Sequence, residues 1–321
     1  MTEKAGKITI VGAGTIGPTI AYALMLKELV SEIVLINRDE VKGAAKALDL
    51  SHCGPLTGGT KVGYGDFEAA AGSEIVVITA GTLADKNGTR MDVLKNNIGI
   101  FREILPKVVR YCPEAVIIIV TNPLDAMTYV AYKLTGFPRE RIIGSGTLLD
   151  TMRFRQIIGS RLRVDSDTIS AEVIGEHGDS MVPLWSRVTV ESMALEDYLS
   201  SRGMILGHDA RRDIEKETER AGWNIRLGNV HSCYGIALSV IKIIECMLGF
   251  SKNTVPVSTL LKGEYGLSDV FLSVPVELCK GGVFRVRVLN INQEEQKLLD
   301  RSAEILSGYI KEAEHMLETA D

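Results

Sequence analysis

The stretch Ile8–Gly17 constrains this chain more than any other. Ile8-Thr9-Ile10-Val11 are four consecutive β-formers, Gly12-Ala13-Gly14-Thr15-Ile16-Gly17 follows at once, and an apolar-periodic segment then runs to Leu29. The order reads strand, tight turn, helix. Three glycines at this spacing suit a sharp turn, close approach of the backbone to a pyrophosphate and tight helix–strand packing, with phosphates on the free N–H groups of the helix start. A second β-forming run, Ile33–Ile36, comes at the distance such a unit requires. A glycine turn with no ligand would satisfy the motif alone; the strand–helix–strand context favours a dinucleotide site.

The rest of the chain reads as two halves. At 321 residues and 45% hydrophobic content it can bury sizeable cores in about two domains. In the first half Lys7–Val11, Glu32–Ile36, Thr60–Val62, Glu74–Thr79 and Ala115–Val120 are strand candidates. Most are short apolar runs rather than alternations, as in a parallel sheet covered on both faces. Helical segments separate them; Pro18 lies just inside the first, and Asp92–Val109 carries Leu94, Ile98, Phe101, Leu105 and Val108 at spacings of three and four. This is an α/β pattern, a doubly wound, mostly parallel Rossmann sheet over residues 1–145. Residues 146–321 read as a mixed α+β domain. Ile169–Ile174 and Arg187–Val190 look like strands, Asp209–Ala221 and Leu227–Gly249 like helices, and Val255–Leu260, Asp269–Pro275 and Gly282–Val288 like antiparallel strands. The last helix opens with a capping box, Asn292 to Glu295, and packs through Leu298, Leu299, Ser302, Ile305, Leu306 and Tyr309.

A net charge of −5 gives no reason to expect nucleic-acid or membrane partners. There is no run of 18 apolar residues and no secretory-type start. The five cysteines are scattered and never form CxxC, and the five histidines show no metal-ligand spacing. The expectation is a cytoplasmic protein with reduced thiols and no metal site.

Polar residues cluster near the boundary. Thr121-Asn122-Pro123 ends an apolar strand, where ligands of open α/β sheets bind; Asn122 is either a turn former or an amide facing nicotinamide ribose or substrate. Asp150 and Arg153 share a helix face, as a surface ion pair or, given Leu148, Leu149 and Met152, on a semi-buried helix. Gly175-Glu176-His177-Gly178-Asp179 follows a strand candidate, which puts His177 in a loop rather than a core.

At these residues the chain resembles the L-lactate/malate dehydrogenase family over essentially its full length. The matching motifs are Val11-Gly12-Ala13-Gly14, Ala47-Leu48-Asp49-Leu50, Ala80-Gly81, Gly88-Thr89-Arg90, Thr121-Asn122-Pro123, Gly144-Ser145-Gly146-Thr147, Leu149-Asp150-Thr151-Met152-Arg153 and Gly175-Glu176-His177-Gly178-Asp179-Ser180, in family order. The resemblance implies hydride transfer between NAD(P) and a small 2-hydroxy/2-oxo acid. It implies that His177 is the acid/base, Asp150 its carboxylate partner, Arg153 the grip on the substrate carboxylate and Arg90 the mobile-loop arginine that polarises the carbonyl. It further implies a cofactor lying along Gly12, Gly14, Thr15, Ile16, Gly17, Asn37, Arg38, Ala80, Gly81, Asn97, Thr121 and Asn122, and a homodimer or homotetramer, for which the 40–58 segment and the last helix are the interface candidates.

Two departures from the family pattern bear on specificity. Ala84 stands where lactate enzymes usually place Gln and malate enzymes Arg. A carboxylate side chain of the substrate would be unpaired against it, which favours a neutral substituent, larger than methyl or not. Lys86, two residues on, is the residue that would restore an anionic preference and make the chain a malate dehydrogenase. Ser232 and Tyr234 fall where the family lines the substrate pocket. At the end of the second strand, Asn37-Arg38 replaces the acid that accepts from both adenosine ribose hydroxyls and repels a 2′-phosphate. Asn37 carries no charge and Arg38 suits a phosphate, so NADP is favoured over NAD.

Overall fold

The computed structural model describes residues 4–82, 89–228, 230–251 and 254–319. The first half alternates strand and helix: β1 (Ala5–Val11), α1 (Ile16–Leu26), β2 (Val30–Ile36), α2 (Glu40–Ser51), β3 (Lys61–Tyr64), β4 (Ile75–Ile78), α3 (Arg90–Tyr111), β5 (Val116–Ile119), α4 (Leu124–Thr135) and β6 (Ile142–Gly144). All six strands pair in parallel, in the order β3-β2-β1-β4-β5-β6. The apolar runs drive this: Ile75–Ile78 and Val116–Ile119 are buried throughout, as strands covered by helices on both faces must be. The order reverses direction between β1 and β4, which opens the crevice where ligands of doubly wound sheets sit.

The second half contains α5 (Leu148–Leu162), β7 (Ile169–Ser170), β8 (Val173–Gly175), β9 (Met181–Pro183), β10 (Thr189–Val190), β11 (Met193–Ala194), α6 (Leu195–Ser201), α7 (His208–Leu227), α8 (Tyr234–Met247), β12 (Val255–Lys262), β13 (Ser268–Cys279), β14 (Gly282–Val286) and α9 (Gln293–Thr319). Its strands do not form a detached sheet. β12 joins β6 antiparallel, with Ser258 opposite Gly144, and the ladder continues through β13 and β8 to β9. The junction brings the loop after β8 alongside the end of the parallel sheet.

The expected strand Ile169–Ile174 is two strands in two sheets. β7 pairs with β10 and β8 with β13 and β9. Between them the Ala171 carbonyl accepts from Arg155 Nε and Nη2, at 2.9 and 2.8 Å, so a long-range side chain occupies the group a continuing ladder would use. The capping box of α9 forms as its residues dictate: Asn292 Oδ1 accepts from Glu294 N and Glu295 N at 2.9 Å, and Glu295 Oε2 accepts from Asn292 N at 3.1 Å. α9 then packs along α3, α4 and β13. Among the described residues, no helix is long and apolar enough to cross a membrane.

Candidate active site

The glycine turn is shaped by two close approaches. Gly12 has φ +112°, and a Cβ there would sit 2.6 Å from Ala80 N; a Cβ on Gly17 would sit 2.0 Å from Gly12 O. Both positions exclude a side chain. Gly14, by contrast, faces open space within 4 Å. The α1 N-terminus beside it has no side-chain cap at Thr15 and no acid in its first turn. An open backbone surface next to an uncapped, acid-free helix start fits a pyrophosphate. Along the crevice, Thr121 Oγ1 donates to Ala80 O at 2.7 Å, which ties the ends of β5 and β4 together. Asn122 is exposed at the mouth.

Two residues expected at the cofactor make hydrogen bonds within the protein. Asn97 is fully buried. Its Oδ1 accepts from Thr82 N at 2.7 Å and Thr82 Oγ1 at 3.2 Å, and its Nδ2 donates to Asn122 O at 2.7 Å and Thr82 O at 3.3 Å. That is the full capacity of the amide, and it braces the crevice wall. Asn37 Oδ1 accepts from Ala13 N at 3.0 Å and its Nδ2 donates to Asp39 O at 2.8 Å; the amide clamps the glycine turn to the end of β2. Arg38 beside it is exposed.

The chemistry centres on Asp150, near the start of α5 and 4% exposed. Its Oδ2 lies 2.6 Å from His177 Nδ1, and its Oδ1 accepts from Arg153 Nη1 at 3.0 Å. Helical spacing brings Asp150 and Arg153 together; β8 brings His177 from the far side. Burial works against the Asp150 carboxylate, but His177 and Arg153 outweigh it and hold its pKa below the ordinary value. Burial likewise opposes the imidazolium, and Asp150, by charge and hydrogen bond, reverses this with help from Asp125 and against Arg153, so the His177 pKa is raised. With Nδ1 committed to Asp150, Nε2 is the nitrogen left to exchange a proton. The His177 side chain keeps 21% exposure.

Arg90 is adjacent but turned elsewhere. Its backbone is anchored as the first residue of α3, behind a capping box between Thr89 and Asp92. Its Nη1 donates to Glu176 Oε1 at 3.0 Å and approaches Tyr309 Oη at 3.5 Å, and its guanidinium lies 5.8 Å from the Tyr309 ring centroid. A Cβ on Gly178 would meet Arg90 Nη2 at 2.7 Å. The guanidinium therefore rests against the residues flanking His177 rather than beside Asp150 and Arg153. Ser232 is partly buried just ahead of α8, whose Gly235 packs on Leu149 next to Asp150: a Cβ there would meet Leu149 Cδ1 at 2.8 Å. Tyr234 is 76% exposed. Ala84 and Lys86 lie outside the described residues.

The sequence reading missed Asp125. It is 2% exposed on α4, and its Oδ2 accepts from the His177 backbone N–H at 2.9 Å. The one available signal is a carboxylate in the otherwise apolar run Leu124–Met127. The reading also placed Glu176 only in a motif and Tyr309 only on a packed face; neither pairing with Arg90 has a local signal. Among the described residues, no group of three or more His, Cys, Asp or Glu is arranged to hold a metal ion.

Comparison with known proteins gives this geometry its family. Residues 6–144 match the lactate/malate dehydrogenase NAD binding domain, and residues 147–317 match the lactate/malate dehydrogenase alpha/beta C-terminal domain. The chain is 37% identical over 307 residues to an L-lactate dehydrogenase of Clostridium botulinum (strain Okra / Type B1), covering 96% of each chain. It is 39% identical over 305 residues to an L-lactate dehydrogenase of Acetivibrio thermocellus, covering 95% of this chain and 96% of that one. The crystal structure of the minor L-lactate dehydrogenase from Enterococcus mundtii in its ligands-bound form superimposes with a TM-score of 0.91 at 31% identity, over 96% of this chain and 98% of that one. Full-length likeness in both sequence and fold, around a paired histidine, aspartate and arginine, makes the chain a member of the lactate/malate dehydrogenase family, the NAD(P)-dependent 2-hydroxy-acid dehydrogenases.

Proposed function

We propose that the chain interconverts a neutral L-2-hydroxy acid, lactate or a homologue with a larger side chain, and its 2-oxo acid. The observation that carries the reading is the Asp150 carboxylate, joined to His177 on one oxygen and to Arg153 on the other. A single buried anion thus orients a proton donor and a carboxylate receptor toward one small acid. The glycine turn, the α1 N-terminus and the crevice wall would hold the cofactor, which would supply the hydride. The remaining work falls to side chains. Arg153 takes the substrate carboxylate on its fork. His177 Nε2 delivers a proton to the carbonyl oxygen in reduction and removes the hydroxyl proton in oxidation. Asp150 holds the ring in place and favours the imidazolium. Arg90 leaves Glu176 to reach the carbonyl oxygen and polarise it. Asn122 contacts the nicotinamide ribose or the substrate, and Ser232 lines the side-chain pocket.

The neutral preference rests on Ala84 in the sequence and agrees with the L-lactate dehydrogenases that the chain resembles. NADP is the favoured cofactor: Asn37 offers no charge to repel a 2′-phosphate, its amide is already engaged, and Arg38 stands exposed beside it. The chain works as a homodimer or homotetramer, for which Val41, Leu48 and Leu56, at 83%, 61% and 89% exposure, supply an apolar contact surface. The domain boundary falls near residue 145. One experiment tests substrate and cofactor together: a panel of 2-oxo acids, from pyruvate through oxaloacetate to aromatic acids, with NADH and NADPH. Pyruvate or a larger neutral acid with NADPH is the expected best pair. Oxaloacetate outpacing every neutral acid would overturn the Ala84 argument and bring in Lys86. A strong NADH preference that survives Arg38→Ala would overturn the NADP assignment.

A further inference from the structure

Among the described residues, three buried side-chain polar atoms have no hydrogen-bond partner: Asp125 Oδ1, Ser258 Oγ and Ser273 Oγ. They belong to one neighbourhood. Ser258 and Ser273 stand directly opposite each other in the β12–β13 ladder, and Ser273 is also paired with Gly175, two residues before His177. Ser258 lies beside the Asp125 carboxyl and favours its ionised form, yet neither Ser258 Oγ nor Asp125 Oδ1 completes a bond of good geometry. The other Asp125 oxygen accepts the His177 N–H at 2.9 Å. Buried polar groups of this kind call for an explanation, and these lie immediately behind the proton-transfer residue.

We propose that Asp125 is a positioning residue for His177, holding the loop through its backbone N–H and supplying a second negative charge to the imidazolium. The argument turns on what an aspartate provides at this place. An asparagine would accept from the His177 N–H equally well, and its amide could donate to Ser258 Oγ. As a structural bracket it would be the better residue; the ionisable charge is what only aspartate adds. That charge has a use. Asp150 is shared between two cations, His177 and Arg153, so one carboxylate faces two positive groups when the ring is protonated. Asp125 makes the count two and two. Burial pushes the Asp125 pKa up to about 6, opposed by Ser258 and His177 and reinforced by Glu176; in its ionised form the group acts on the ring together with Asp150 and against Arg153.

The inference rests on His177 as acid/base, and the test separates the two. In the full-length protein, Asp125→Asn, Asp125→Ala and His177→Asn are compared by three readouts. These are the His177 ring pKa from histidine NMR, assigned with His177→Asn; the thermal midpoint at pH 7.5; and kcat/KM for pyruvate reduction against pH, with NADPH and NADH. Asp125→Asn should lower the ring pKa by about one unit and move the alkaline fall of kcat/KM to lower pH by the same amount, with a thermal midpoint at or above that of the parent. Asp125→Ala, which also frees the loop, should lose a further factor of about ten in kcat. The proposal is overturned if Asp125→Asn leaves the ring pKa within about 0.2 unit of the parent, or lowers the thermal midpoint with an unshifted pH profile, as a bracket would. An inactive His177→Asn alongside an unaffected Asp125→Asn removes this inference alone; an active His177→Asn removes both.

Discussion

Replacing Asp150 with asparagine removes one charge from a carboxylate that makes two charge-assisted bonds, at 2.6 Å to His177 and 3.0 Å to Arg153, while 4% exposed. The amide has one acceptor oxygen. If that oxygen faces Arg153, the NH2 group faces His177 Nδ1 and forces the neutral tautomer, so the acid for reduction is lost. If it faces His177, two donors confront each other at Arg153. Removing one partner from a buried ion pair costs about 3–5 kcal/mol, which corresponds to a loss of about two to four decades in kcat/KM for the 2-oxo acid. The pH profile should move as well. Without Asp150, burial works on the imidazolium with only Asp125 against it, so the His177 pKa falls and the alkaline limb of reduction shifts to lower pH. Stability should follow. The raised His177 pKa contributes stability that is full below the ordinary histidine value and is lost as pH rises through the raised one. The depressed Asp150 pKa contributes stability present above the ordinary aspartate value and lost as pH falls through the depressed one. The variant should therefore lose most stability between those ordinary values, from mildly acid pH to near neutrality, as read by thermal melts at stepped pH. Steady-state kinetics within about threefold of the parent from pH 6 to 9 would refute the reasoning, since a shift of under about 0.7 kcal/mol is incompatible with a buried two-way pairing.

Two other substitutions test the arginines. Arg153→Lys leaves a point charge that cannot hold Asp150 and a substrate carboxylate as a fork does, so KM for the 2-oxo acid should rise about tenfold or more; near-normal kinetics would remove its role as carboxylate receptor. Glu176→Gln weakens the contact that holds Arg90 against the residues flanking His177, a pair whose arginine side is 38% exposed and whose glutamate side is 5% exposed; discounted for solvent at the arginine, it is worth about 1 kcal/mol. It should lower KM for the 2-oxo acid up to about fivefold with Arg90 intact, and a raised or unchanged KM would show that Arg90 gains nothing by leaving Glu176.

The features legible in the sequence are those set by neighbours in the chain. The glycine turn follows from Gly12, Gly14 and Gly17 between a β-forming run and an apolar helix. The Asn292–Glu295 box and the Asp150–Arg153 pairing follow from helical spacing, and the parallel sheet follows from unbroken apolar runs. The proposed catalytic set was legible chiefly through motif resemblance; residue type alone left His177 a loop histidine with an open role. Other features lay beyond reach because their cause is distant in sequence. The split of Ile169–Ile174 depends on Arg155 reaching Ala171. The occupation of Asn97 depends on Thr82 and Asn122, and the resting place of Arg90 on Glu176 and Tyr309, 86 and 219 residues away.

The residues by themselves determined that a dinucleotide crevice forms and which side chains are chemically able to work beside it, because strand, turn and helix preferences and helical spacing are local. Only the tertiary structure decided how those side chains are charged and aimed. The joining of β6 to β12 and of β13 to β8 sets His177 against both Asp150 and Asp125, and burial then makes every charge there depend on its partners. Electrostatic strength in a protein depends on distance and on how far water is excluded, and neither is a property of sequence spacing.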